Sequence, residues 1–321
     1  MYTVSKNWSR AGNAYRDVFV NTLLAMMDEN KRIMMLEADL GGASGTLKIR
    51  DTKPDRFVEC GISEADMMGV AAGMSSEGII PFTHTFGPFA TRRAFDQVYM
   101  SGAYARNTIN IWGSDPGFTA GANGGTHTTW EDVALMRTIP GAIVCDAADS
   151  VQFAWILREF AKHDGIHYVR AGRKNSWSVY AEGSTFEFGR GNIVRSGSDV
   201  LVVTAGQLVK DALDTAASFE KDGISVEVID MFCIKPLDVE LLLSEISGKK
   251  AVVTFENHGV IGGLGSAVAE TIAEAGISVP FKRHGVVERF GQVGTPDWLQ
   301  AEFHLTATDL EKTIRSLLTL Q

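Results

Sequence analysis

Three stretches of this sequence hold residue types suited to chemistry as well as to packing. In residues 60–74, Gly61 leads into Ser63, Glu64 and Asp66, and nearly everything after them is small or apolar. Carboxylates at a helix start, with Ser63 as N-cap, commonly do no more than complement the helix dipole. The body of this helix argues for more at Glu64. With so little polarity it must be buried or lie at an interface, and a carboxyl held there can keep or exchange a proton near neutral pH. In residues 84–97, His84, Phe86, Phe89, Arg92 and Arg93 follow an apolar run and so fall near the C-terminal end of a strand, where open α/β sheets bind ligands. The two phenylalanines read either as core plugs or as an apolar wall for a flat heterocycle. Residues 113–127 form a long glycine-rich loop with Asp115, Asn123 and, at its end, His127; a loop of this length and polarity suits a functional role.

These stretches need a scaffold, and the hydrophobic pattern supplies one. Residues 32–38, 79–83, 108–112, 142–145 and 166–170 read as strands, separated by helical periods over 15–28, 64–76, 92–104, 130–137 and 150–162. Such alternation implies parallel βα units. Residues 181–191 are polar and glycine-rich, and a second α/β unit follows. It has strands at 199–205, 225–229 and 250–255, helices at 208–220 and from Gly262 to Ala275, and a turn at Lys235 and Pro236. The expectation is two parallel-sheet α/β domains, 1–187 and 188–321. The Gly262, Gly263 and Gly265 cluster lacks dinucleotide-binding spacing and reads as helix packing.

Composition narrows the function. The 321 residues carry 39 acidic against 30 basic side chains, a net charge of −9, which opposes nucleic-acid binding. Cys60, Cys145 and Cys233 lie too far apart for a metal pair or a disulfide framework, which suggests a reduced compartment. No window suits a membrane span and the N-terminal residues lack an apolar signal core, so a soluble cytoplasmic protein without membrane contact is expected. A mean hydropathy of +0.01 is high for an acidic soluble chain, as when an interface hides apolar surface. No HExxH zinc signature occurs, and no metal ligands are expected in this chain.

The three stretches, in this order and spacing, resemble the C-terminal half of transketolase over essentially the whole chain: a pyrimidine-binding domain plus a C-terminal domain, as in the smaller subunit of split bacterial transketolases. The resemblance implies that Glu64 bonds the aminopyrimidine of thiamine diphosphate and activates it. It also implies that Phe86 and Phe89, with Arg92 where the family often has a third aromatic, wall in that ring, with Asp39 also on the cofactor side. It makes His127 the active-site histidine and Arg173 a substrate-phosphate arginine, with Arg10 a second, and puts Ser44 on the substrate side. Asp115 and Asn123 depart from the usual histidine and aspartate of the family, which leaves the headgroup chemistry open. The family's Gly-Asp-Gly diphosphate and Mg²⁺ motif does not occur here. The resemblance therefore implies a cofactor shared with an N-terminal transketolase subunit that carries the diphosphate-binding domain and the Mg²⁺ ligands, in an α2β2 heterotetramer acting on a sugar phosphate. The implied reaction is transfer of a two-carbon ketol unit from a ketose to an aldose. The alternatives are a 2-oxoacid dehydrogenase beta subunit, a 1-deoxyxylulose-5-phosphate synthase-like enzyme, and a non-catalytic binding subunit.

Overall fold

A computed structural model describes residues 1–319. Its strands in chain order are β1 (Ala11–Ala14), β2 (Ile33–Glu37), β3 (Phe57–Glu59), β4 (Ile80–Phe86), β5 (Ile109–Ser114), β6 (Ile143–Asp146), β7 (Ile166–Ala171), β8 (Asn175–Trp177), β9 (Asn192–Arg195), β10 (Val200–Thr204), β11 (Val226–Asp230), β12 (Cys233–Lys235), β13 (Ala251–Gly259) and β14 (Phe281–Val286). A seven-stranded sheet runs β12-β6-β7-β5-β4-β2-β3 and a five-stranded sheet runs β14-β13-β10-β11-β9. Within them only the β12–β6 and β11–β9 pairs are antiparallel. Strands β4, β5 and β7 are buried at every residue, as a parallel sheet covered by helices on both faces requires. No helix among the described residues is long and apolar enough to cross a membrane.

The two α/β units with mostly parallel sheets are those expected, and the periodic helices at Tyr15–Glu29, Glu64–Ser76 and Ser150–Phe160 lie where the hydrophobic period puts them. Two places differ. The helix expected over 92–104 is instead a run of π-helical turns, Phe89–Arg93 and Val98–Tyr104, around a short α turn at Phe95–Gln97. π turns are frequent at functional sites. The turn expected at Lys235 follows a short strand, β12, which leaves the second unit and pairs antiparallel with β6 at the edge of the first sheet. Sheet membership therefore crosses the linear division expected at residue 187.

Candidate functional site

The C-terminal edge of the seven-stranded sheet collects the chemistry. Asp39 follows β2, Glu64 opens the helix after β3, Phe86 ends β4, Asp115 follows β5 and Arg173 follows β7. Asp39 and Asp115 both have left-handed backbone, φ +58° and +52°, a conformation that costs energy in a residue other than glycine and concentrates at functional sites.

Glu64 is only 2% exposed. The Ser63 side chain makes no capping bond to the helix, contrary to expectation. Instead, Arg93 Nη1 donates to both Glu64 carboxylate oxygens, at 2.8 and 2.9 Å, and the guanidinium carbon lies 3.7 Å from the centroid of the Phe89 ring. His127 meets Phe86 and Phe89 edge-on, with centroids 5.3 and 5.0 Å away, while its Nδ1 lies 2.9 Å from the Thr126 hydroxyl. Burial, then the nearby Arg93 and Arg173 cations, lowers the His127 pKa below its ordinary 6.5, so the ring is neutral at pH 7.

Arg173 stands at the border of this cluster, its guanidinium carbon 4.7 Å from the Phe86 centroid. Asp115 grips it twice: Oδ2 accepts from Arg173 Nε at 2.6 Å and Oδ1 from the Arg173 backbone N–H at 3.0 Å. Burial pushes the Asp115 carboxyl above its usual range even against the opposing pull of Arg173. Both residues face a 340 Å³ cavity shared with Lys174, Asp211 and Asp297. Burial holds Asp211 up at about 6.

Other expected site residues are not brought into this cluster. Arg92 turns outward to Glu131 (2.9 Å), and its neighbour Arg93 takes the place against the aromatic wall. Ser44 is fully buried with its hydroxyl on Glu37 at 3.1 Å, so it faces the interior rather than the cavity. Arg10 is exposed and lines a separate 550 Å³ cleft with Lys6, Asp149 and Tyr180. Asn123 and Asp39 are exposed, Asn123 on the short helix Gly117–Asn123 and Asp39 with its N–H on Glu59 Oε1 at 2.8 Å.

The sequence reading missed a buried polar network beneath this edge. Glu37 Oε1 lies 2.7 Å from His84 Nδ1, and His84 Nε2 lies 3.0 Å from the Ser114 hydroxyl; Thr46 also bonds Glu37. The signal was available: Glu37 and His84 are register partners on adjacent parallel strands, and each is the one ionisable group of its strand. Also missed was the clamp on the histidine loop from the second unit. Asn257 Oδ1 accepts from Phe118 N (3.2 Å) and its Nδ2 donates to Pro116 O (3.0 Å). A Cβ at Gly117, where φ is +57°, would sit 2.0 Å from Asn257 Oδ1, so the loop closes on that side chain only with glycine there.

A buried carboxylate beside two aromatic faces suits the aminopyrimidine half of thiamine diphosphate, a flat ring with N–H donors in its plane. No group of three or more His, Cys, Asp or Glu side chains among the described residues is placed to hold a metal ion.

Comparison with known proteins places the chain in one family. The family model described as the transketolase pyrimidine-binding domain matches residues 11–177, and that of the transketolase C-terminal domain matches residues 189–310. The 6-deoxy-6-sulfo-D-fructose transketolase subunit SqwH of Clostridium sp. (strain MSTE9) is 42% identical over 295 residues, 92% of this chain and 91% of that protein. An apulose-4-phosphate transketolase subunit of Phocaeicola vulgatus is 33% identical over 83% of this chain and 86% of its own length. A solved split-gene transketolase, an inactive beta4 tetramer, matches with a TM-score of 0.89 and 38% identity, covering 96% of this chain and 99% of that one.

Proposed function

This chain belongs to the transketolase family, and from that premise we propose that it is the pyrimidine-binding half of a two-chain ketol transferase. The carrying observation is the convergence of Glu64, Phe86, Phe89 and His127, with Arg173 at the border of the cluster. Thiamine diphosphate, when bound, would supply the nucleophilic carbon chemistry needed to break the bond beside a ketose carbonyl. Glu64 holds the aminopyrimidine and exchanges its proton, and the two phenylalanines fix the ring plane and exclude water. His127, neutral at pH 7, holds or passes the proton at the donor oxygen. The diphosphate and Mg²⁺ belong to a partner chain with the family's Gly-Asp-Gly element, and the assembly is a cytoplasmic α2β2 heterotetramer. Support comes from open space beside Gly69 and Gly73 on the Glu64 helix and from exposed Ile62, Tyr104 and Phe290, surfaces suited to a second chain.

The headgroup of the donor is singly charged. Asp115 already meets the charge of Arg173 through Nε, which leaves the terminal guanidinium nitrogens for a ligand, and the carboxylates Asp211 and Asp297 outnumber the cavity's one further cation, Lys174, which opposes a dianion. A sulfonate fits this balance better than a phosphate, and the Clostridium relative acts on 6-deoxy-6-sulfo-D-fructose. Steady-state kinetics of the reconstituted enzyme with C6-sulfonated, C6-phosphorylated and uncharged ketoses test the reading. The sulfonated donor is expected to have the lowest KM. Arg173→Ala should raise KM for both charged donors and spare the uncharged one, and Asp115→Asn should move the preference toward phosphate. A wild-type preference for phosphate, or an equal effect of Arg173→Ala on all three donors, would overturn it.

A further inference from the structure

Glu64 and the Phe89 ring, which the proposed function assigns to the cofactor's aminopyrimidine, are both occupied by a side chain of this protein. Arg93 Nη1 spans the two Glu64 oxygens at 2.8 and 2.9 Å, and the same guanidinium stacks on Phe89 at 3.7 Å. A guanidinium is flat, delocalised and cationic, with N–H donors in its plane, so it presents to a carboxylate and an aromatic face much what a protonated aminopyrimidine presents. We infer that Arg93 is a resident stand-in for the cofactor ring: it fills the pyrimidine slot in the cofactor-free protein and must be displaced when thiamine diphosphate binds.

The pair is built for exchange. Glu64 is 2% exposed, and a carboxylate buried to that extent without a counter-charge is costly, so something must face it before the cofactor arrives. Arg93 itself is 45% exposed and starts from a π-helical turn at the edge of the site, so its head can swing into solvent without disturbing the core. His127 faces the same guanidinium, whose charge helps lower its pKa. Withdrawal of Arg93 therefore also returns proton affinity to the histidine.

The inference rests on the proposed function, and two measurements keep the two apart. The first titrates the partner-reconstituted complex with thiamine diphosphate and Mg²⁺, following tryptophan fluorescence. Saturable binding by the wild type tests the proposed function; the change on substitution tests Arg93. Where a resident group fills the slot in about nine molecules of ten, apparent affinity is lowered about tenfold. Arg93→Ala should therefore bind the cofactor roughly tenfold more tightly, with Arg93→Lys in between because it keeps the charge and loses the flat fork. The second measurement needs no cofactor: Arg93→Ala should lower the melting temperature of the cofactor-free chain, because Glu64 is left buried and unpaired, and Glu64→Gln in that background should restore much of the loss. Unchanged or weaker cofactor binding by Arg93→Ala overturns the inference, as does a melting temperature that does not fall.

Discussion

His127 shows how much of this site is set by near neighbours. Two aromatic edges fix its ring, and burial with two arginines keeps it unprotonated at neutral pH. A neutral imidazole can accept a proton from a hydroxyl and return it later, the general acid–base work that typically contributes about 10²–10⁴-fold. His127→Ala is accordingly expected to lower kcat by about that factor while KM changes little, since the residue acts on proton movement more than on substrate grip. Steady-state kinetics of the reconstituted enzyme check this, and a loss confined to KM would make His127 a binding contact. Burial and Arg173 still lower the His127 pKa once Arg93 withdraws, so the acid limb of the wild-type kcat profile should fall below pH 6.5.

The histidine loop is held in place from outside its own unit. Asn257, near the end of β13, makes two bonds to the loop backbone and is buried, so Asn257→Ala leaves the Phe118 N–H and the Pro116 carbonyl unmatched. The expected cost is about 1–3 kcal/mol, read as a lower denaturant midpoint, with a fall in kcat as the loop loosens. An unchanged midpoint would mean that water replaces both bonds. Elements of this kind mark the limit of what the sequence discloses. Buried strands such as β4, β5 and β7 announce themselves because apolar runs have one physical use in an alternating α/β chain. Strand β14 reads Phe-Lys-Arg-His-Gly-Val from Phe281 and lies at a sheet edge with charges facing out, so no hydrophobic period betrays it. Residue type and setting single out Glu64 and His127, the resemblance adds Arg173, and the structure gathers the three along one edge of the sheet. Arg93 was displaced by Arg92 in the reading because the width of a π-helical turn decides which of two adjacent arginines faces inward, and spacing alone does not carry that.

Across the whole molecule, the two units meet through buried charge. Arg170 is 1% exposed; it lies 2.9 Å from Asp132 through an Nε–H that is not aligned for a hydrogen bond, 3.2 Å from Asp146, and donates to Asn257 O at 2.9 Å. Burial raises Asp146 to about 6 and Glu256 to about 7, and drives His258 down to about 4. From about pH 4.5 to 7 an unfolded chain has released the Glu256 proton while the folded one retains it, so the native state binds more protons and this contribution to stability falls as pH rises. His258 acts in the opposite direction up to about 6.5, because the unfolded chain takes up a proton there that the fold refuses. Replacing Glu256 with Gln isolates the acid: the variant should gain on the wild type in melting temperature between pH 5 and pH 8, and a constant difference would show that Glu256 titrates normally. At this scale, as proposed above, one chain holds half of a catalytic site. The most direct measurement is ketol transfer by this chain alone, by a partner chain carrying the Gly-Asp-Gly element alone, and by the two mixed, with thiamine diphosphate and Mg²⁺ present throughout. Turnover is expected only in the mixture. Turnover by this chain alone, or none in a mixture that demonstrably assembles, would contradict that proposal.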